Sequence, residues 1–297
     1  MPAQARYVGG QAVVEGVMMR GVDRWAVAVR LPDGTIDVSV HDAPRWGERW
    51  SRVPLVRGVV ALAESLTLGL RALSWSAARQ ADEEGVEISR GQLTATVAVA
   101  VALFSGLFIV LPAVASKGAG DLLPNRVAFN VFEGFLRLGL FLGYIALIGR
   151  MADVRRVFEY HGAEHKAIAA FERGVPLTPA AAQRFTTEHV RCGTNFLLLV
   201  MVLAILTHTV VGRPGWAVLV ASRLLLVPVV AGLAYEVIRF AACRMDRPLV
   251  RALMRPGLAL QRMTTREPSL DQLEVAIASL RAVLTDDQRA EVDARAA

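Results

Sequence analysis

Between Leu93 and Ala115 the chain runs for 23 residues without a single charge (LTATVAVAVALFSGLFIVLPAVA). At 1.5 Å of rise per residue, such a helix is long enough to cross the ~30 Å hydrocarbon core of a bilayer with some tilt. Two further apolar blocks, Phe196 to Val211 and Trp216 to Tyr235, are separated by Gly212-Arg213-Pro214-Gly215, whose glycines and proline suit a tight turn between antiparallel helices. A fourth, Val127 to Ile148, is interrupted by Asn130, Glu133 and Arg137. The expected fold is therefore an α-helical integral membrane protein with about four transmembrane helices, a small N-terminal β unit and cytoplasmic helices. A hydrophobic content of 54% fits that class better than a soluble one.

The distribution of basic residues orients the spans. The segment between the second and third carries Arg155, Arg156, Lys166, Arg173, Arg184 and Arg191, whereas the short connections on the other side carry only Lys117, Arg126 and Arg213. By the positive-inside rule the 151–193 segment is cytoplasmic, and an even number of spans puts both Arg-rich termini there too. The expected location is the inner (plasma) membrane, with the lipid bilayer as the principal partner. The first apolar block begins too late for a cleaved signal peptide. A net charge of +6 is explained by topology, so no specific nucleic-acid partner is expected. Two cysteines, Cys192 and Cys243, suggest no disulfide framework.

Along the chain, 1–50 reads as the β unit: Trp25, Val27 and Val29 alternate, Pro32-Asp33-Gly34 turns, and Ile36, Val38 and Val40 resume the alternation. Ahead of that hairpin, Gly9 to Gly21 is a Gly-punctuated strand or loop suited to close backbone approach. Segment 51–92 holds an amphipathic helix from Pro54 to Ala78, either interfacial or packed on the sheet, and a polar linker from Gln80 to Gly91. Spans one and two occupy 93–150, the cytoplasmic segment 151–193, spans three and four 194–236, and cytoplasmic helices 237–297. In the last, Ser269 and Gln272 form a capping box ahead of the stripe Leu273, Ile277, Leu280 and Leu284.

Two groups of polar residues stand out. Asn130, Glu133 and Arg137 share one face of the second span, about 24 Å of helix rise from Gly149 for Glu133. Arg223 and His208 lie at matching depth, so pairing of Glu133 with Arg137 and Arg223 would relieve the cost of ions inside the membrane. The other group is His161-Gly162-Ala163-Glu164-His165, in a chain with five histidines. On a helix His161 and His165 face one way and Glu164 lies beside them, the logic of H-x-x-E-H zinc sites. His189 and Glu236 fall at the same membrane face and compete to be the third ligand. Cys192 reads as a small buried residue at a helix start, with soft ligand or nucleophile as the alternative.

The motifs GGQAVVEGVMMRG, MADVRRVFEYHGAEHK and HVRCGTNF, in this order, resemble the bacterial YqhQ-like family of membrane proteins of unknown function, across roughly Val8 to Leu284. The resemblance implies a metal-dependent enzyme using His161, Glu164 and His165, and names no substrate. The expectation is a cytoplasm-facing metal-dependent hydrolase in which His161 and His165 bind a divalent metal, zinc, with His189 or Glu236 completing the site and Glu164 as general base. Its substrate would be a peptide, ester or phosphoester at the inner leaflet. The rival is a transporter, lipid-handling protein or assembly factor whose His/Glu cluster is structural.

Overall fold

The computed structural model describes residues 8–296 apart from 45, 47–49, 51, 84–88, 190 and 213–214. Arg213 and Pro214 of the expected turn, and 84–88 of the expected linker, lie outside the described residues.

The N-terminal unit is a four-stranded antiparallel sheet in the order β1 (Gly9–Val13), β2 (Gly16–Arg20), β3 (Arg24–Arg30), β4 (Ile36–Asp42). The hairpin expected from the alternation is β3–β4, pinned at its turn by Thr35 N–H on Asp33 Oδ1 at 2.8 Å. The Gly-punctuated stretch before it is a second hairpin, β1–β2, which pairs Gly9 with Arg20 and turns at Val14-Glu15.

Both faces of this sheet are covered. Helix α1 (Val56–Glu83) lays Leu68 and Ala72 on Val13, Met18, Trp25, Val27 and Val29. The 54–78 helix is thus a packed helix on the sheet, but its start also lies against the last span, where a Cβ on Gly58 would stand 2.7 Å from Tyr235 Cβ. The opposite face, Val17, Met19, Ala26 and Ala28, is buried by α5 (Ala152–Arg173) and α11 (Leu270–Val283). The capping box on α11 is formed, and Leu273, Ile277, Leu280 and Leu284 are all buried. One core therefore joins the N-terminal sheet, the segment between the second and third spans and the C-terminal helix. All three lie on the same side of the four membrane helices.

Those four helices are Thr94–Gly118, Arg126–Ile148, Gly193–Val211 and Trp216–Ala242, each long and apolar enough to cross a bilayer. The first comprises α2 (Arg90–Ser105) and α3 (Leu111–Gly118) joined by a π-helical turn, Gly106–Val110. Pro112 explains it. With no N–H to donate, Pro112 leaves the carbonyl four residues back, that of Phe108, without its helical donor. Arg137 Nε on α4 (Arg126–Ile148) takes that oxygen at 2.8 Å. The third span is α7 (Gly193–Val211), and the fourth is α8 (Trp216–Leu225) followed by α9 (Val227–Ala242), broken at Pro228.

The charge cluster inside the spans forms as the spacing on α4 suggested. Glu133 accepts from Arg137 Nη2 at 2.6 Å, from Arg223 Nη2 at 2.6 Å and from Arg223 Nε at 3.1 Å. Arg223 Nη2 also reaches Asn130 Oδ1 at 2.8 Å. Glu133 and Arg223 are almost fully buried, and His208 is buried on the neighbouring span.

Candidate metal centre

Helix α5 follows α4 after three intervening residues and carries the whole H-x-x-E-H motif on the face turned towards β1 and the start of α7. That face is tightly packed. A Cβ on Gly162 would sit 2.0 Å from the carbonyl oxygen of Arg266, so glycine alone lets α5 approach the chain that follows α10 (Pro248–Thr264). Gly10 on β1 plays the same part on the other flank, where a Cβ would lie 2.8 Å from Glu164 Cγ.

The two histidines are held by backbone carbonyls. His161 Nδ1 bonds Thr264 O at 2.8 Å, and His165 Nδ1 bonds Thr187 O. A carbonyl only accepts, so in the neutral ring each Nδ1 carries the proton and each Nε2 keeps its lone pair for another partner. That partner region contains Cys192, whose Sγ lies 3.3 Å from His161 Nε2. Ligand atoms of His161, His165 and Cys192 all fall within 4.8 Å of one another. Two imidazole nitrogens and a thiol are a donor set that zinc binds well. Glu164 Oε2 stands 4.0 Å from His161 Nε2.

Burial sets the electrostatics. It pushes the Glu164 carboxyl up to about 7, opposed by His161, and the Cys192 thiol up to about 11. It holds His165 well below the usual imidazole value, helped by His161, and lowers His189 to about 4. Neutral imidazoles are the ligating form, so this environment keeps the nitrogen lone pairs available for a cation.

The third-ligand expectations need correcting. Glu236 is not in the cluster: on α9 it faces the start of α1, where Arg57 Nε donates to it at 2.7 Å, Arg57 Nη2 donates to it as well, and Leu55 N–H adds a bond at 3.2 Å. Its carboxylate is engaged there. His189 does line the same cavity, its ring centroid 5.6 Å from that of His165, but its Nε2 lies 3.5 Å from Glu172 Oε2 rather than in the His161–His165–Cys192 group. The residue grouped with His161 and His165 is Cys192. It is the N-cap of α7, with Thr194 N–H on its Sγ at 3.4 Å, and its nearness in sequence to His189 was the signal that could have promoted it.

The cluster sits in a cavity of about 930 Å³ bounded by β1, α1, α5 and the first turns of α7. Its lining runs from Gly9 and Gly10 past the cluster to Leu197, inside the third span and 43% exposed.

Fold and site together define a class: a four-span helical membrane protein carrying a small β-sheet domain, with a histidine–cysteine cluster where that domain meets the membrane helices. The family model described as protein of unknown function, DUF1385, matches residues 53–286, and the chain belongs to that family. It is 32% identical to the uncharacterized protein YqhQ of Bacillus subtilis (strain 168) over 293 residues, covering 93% of this chain and 92% of the relative. No solved structure matches.

Proposed function

We propose that the protein is a membrane-embedded, metal-dependent hydrolase whose site faces the cytoplasm, with both termini on that side. The observation that carries this reading is the convergence of one ligand atom each from His161, His165 and Cys192 within 4.8 Å, beside a buried carboxyl, in a cavity that reaches the membrane helices. A bound zinc ion would supply Lewis acidity towards a water or carbonyl oxygen and would favour the Cys192 thiolate. The chain's own groups supply the rest. Thr264 and Thr187 carbonyls fix the imidazoles, and Glu164 takes a proton from the attacking water and returns it to the leaving atom. Gly10 holds β1 against Glu164, which shields the carboxyl from bulk water.

Metal analysis of purified protein tests this directly. Wild type should hold about one zinc per chain, and His165→Ala should lose it. Glu164→Gln should keep the metal while failing to complement a deletion phenotype. Wild-type protein without stoichiometric metal overturns the metal site. A metal-loaded Glu164→Gln that complements fully refutes the hydrolase role and favours the non-enzymatic reading, in which the cluster is structural.

A further inference from the structure

The cavity is bounded on one side by an edge of a β-strand. In the sheet order β1-β2-β3-β4, β1 pairs only with β2 among the described residues, and its residues Gly9 to Ala12 all line the cavity. Which of its amides are committed follows from the ladder. Arg30 N–H donates to Glu15 O, so Gly16 and Val29 form a non-hydrogen-bonded pair and the polar groups of Gly16 turn towards β1, onto Val13. By alternation Gln11 and Gly9 also bond β2, while the N–H and C=O of Ala12 and Gly10 point away from the sheet. They point into the cavity that holds Glu164, and no hydrogen bond from them to another described residue is present.

An open strand edge is a template for a further strand, which natural sheets usually blunt with charge, proline or a covering element. This one has none of the first two: Gly9-Gly10-Gln11-Ala12 is uncharged and free of proline. Helices α1 and α5 cover the two faces of the sheet and leave the edge between them as a slot. Apolar side chains form part of its walls, with Leu68 on one side, Ile168 and Phe158 on the other and Leu197 at the third span, beside the polar Arg20, Ser65 and Arg191. Alternate backbone groups for pairing and apolar walls for side chains are the two halves of peptide recognition by strand addition. A lipid would use the walls but has no repeat of donors and acceptors to match Gly10 and Ala12.

We infer that the edge of β1 binds an extended polypeptide segment of another protein, delivered from the membrane side, and lays its backbone beside Glu164 and the histidine–cysteine cluster. The substrate class is then a peptide bond. Water is consumed, the C–N bond breaks, the acyl carbon gains the hydroxyl and the nitrogen gains the proton. The chemistry rests on the hydrolase reading; the docking does not.

Amide hydrogen exchange on the full chain in lipid nanodiscs, resolved to single residues of β1, reads the docking without any turnover. The probe is a pool of capped ten-residue peptides of randomised apolar sequence. The Gly10 and Ala12 amides should slow about tenfold or more on adding the pool, whereas Gln11 and Val13 should be slow from the start. Ala12→Pro deletes an outward N–H and no ladder bond, as edge strands allow. It should retain zinc like wild type and abolish the slowing at Gly10. Unchanged Gly10 and Ala12 amides overturn the proposal, as does equal slowing by short-chain phospholipid without peptide. Loss of zinc from wild type with the slowing intact would instead refute only the hydrolase reading.

Discussion

Reversing Glu133 to lysine is the sharpest test of the charge cluster within the spans. Wild type holds two guanidiniums and one carboxylate there, Arg137, Arg223 and Glu133, with the Glu133 side chain 2% and the Arg223 side chain 0% exposed. Glu133→Lys replaces the shared acceptor by a third cation and removes three charge-assisted hydrogen bonds at once. Breaking a buried pair by losing one partner costs about 3–5 kcal/mol. That is a large part of the roughly 5–15 kcal/mol that keeps a domain folded. Folded protein in membranes, measured by fluorescence-detected size exclusion of a fusion, should therefore fall steeply. Adding Arg223→Glu restores the count of two positive charges and one negative, so abundance and detergent Tm should recover in part. Recovery is incomplete because glutamate cannot also donate to Asn130 Oδ1 as Arg223 does. A Glu133→Lys protein that accumulates normally, or a double variant no better than the single, would refute the pairing as a source of stability.

Three further outcomes are expected. Gly162→Ala drives a methyl into Arg266 O and should lower stability by about 1–3 kcal/mol, seen as a drop in Tm with helix content unchanged. Cys192→Ser should weaken zinc retention far more than His189→Ala, measured by competition with a chelating dye; the reverse order would return His189 to the third ligand position. Reporter fusions after residue 119, after residue 170 and at the C-terminus should report outside, inside and inside; an external signal at 170 removes the cytoplasmic site.

The parts of this molecule that could be read from sequence are those set by local periodicity. Four helices followed from long apolar blocks, and the Glu133 cluster from an i, i+3, i+7 spacing on one of them. Topology also grouped His189 and Glu236 with the motif at one end of the spans, but a shared face is not a contact. Glu236 is claimed by Arg57, 179 residues earlier, because α1 lies against α9, and no spacing rule reports which helices are neighbours. The place of Cys192 beside the histidines is hidden from the sequence for a related reason. A lone cysteine at a helix start is ordinary, and only the register of α5 against α7 sets it 3.3 Å from His161. The 54–78 helix was ambiguous between sheet and membrane because it serves both, Leu68 on one and Gly58 on the other.

Ser279 donates to the carbonyl of Ala26, 253 residues away, and that single bond marks a constraint on biogenesis. The sheet leaves the ribosome first, yet one of its faces is closed by α11, which is made after every membrane span. At about 5–20 residues per second, the nascent sheet must wait on the order of tens of seconds with apolar surface uncovered. Over that interval Val17, Met19, Ala26 and Ala28 are a target for holdases or for aggregation. A chain truncated before Leu270 keeps all four spans but never completes the core between the sheet and the helix that carries the histidines.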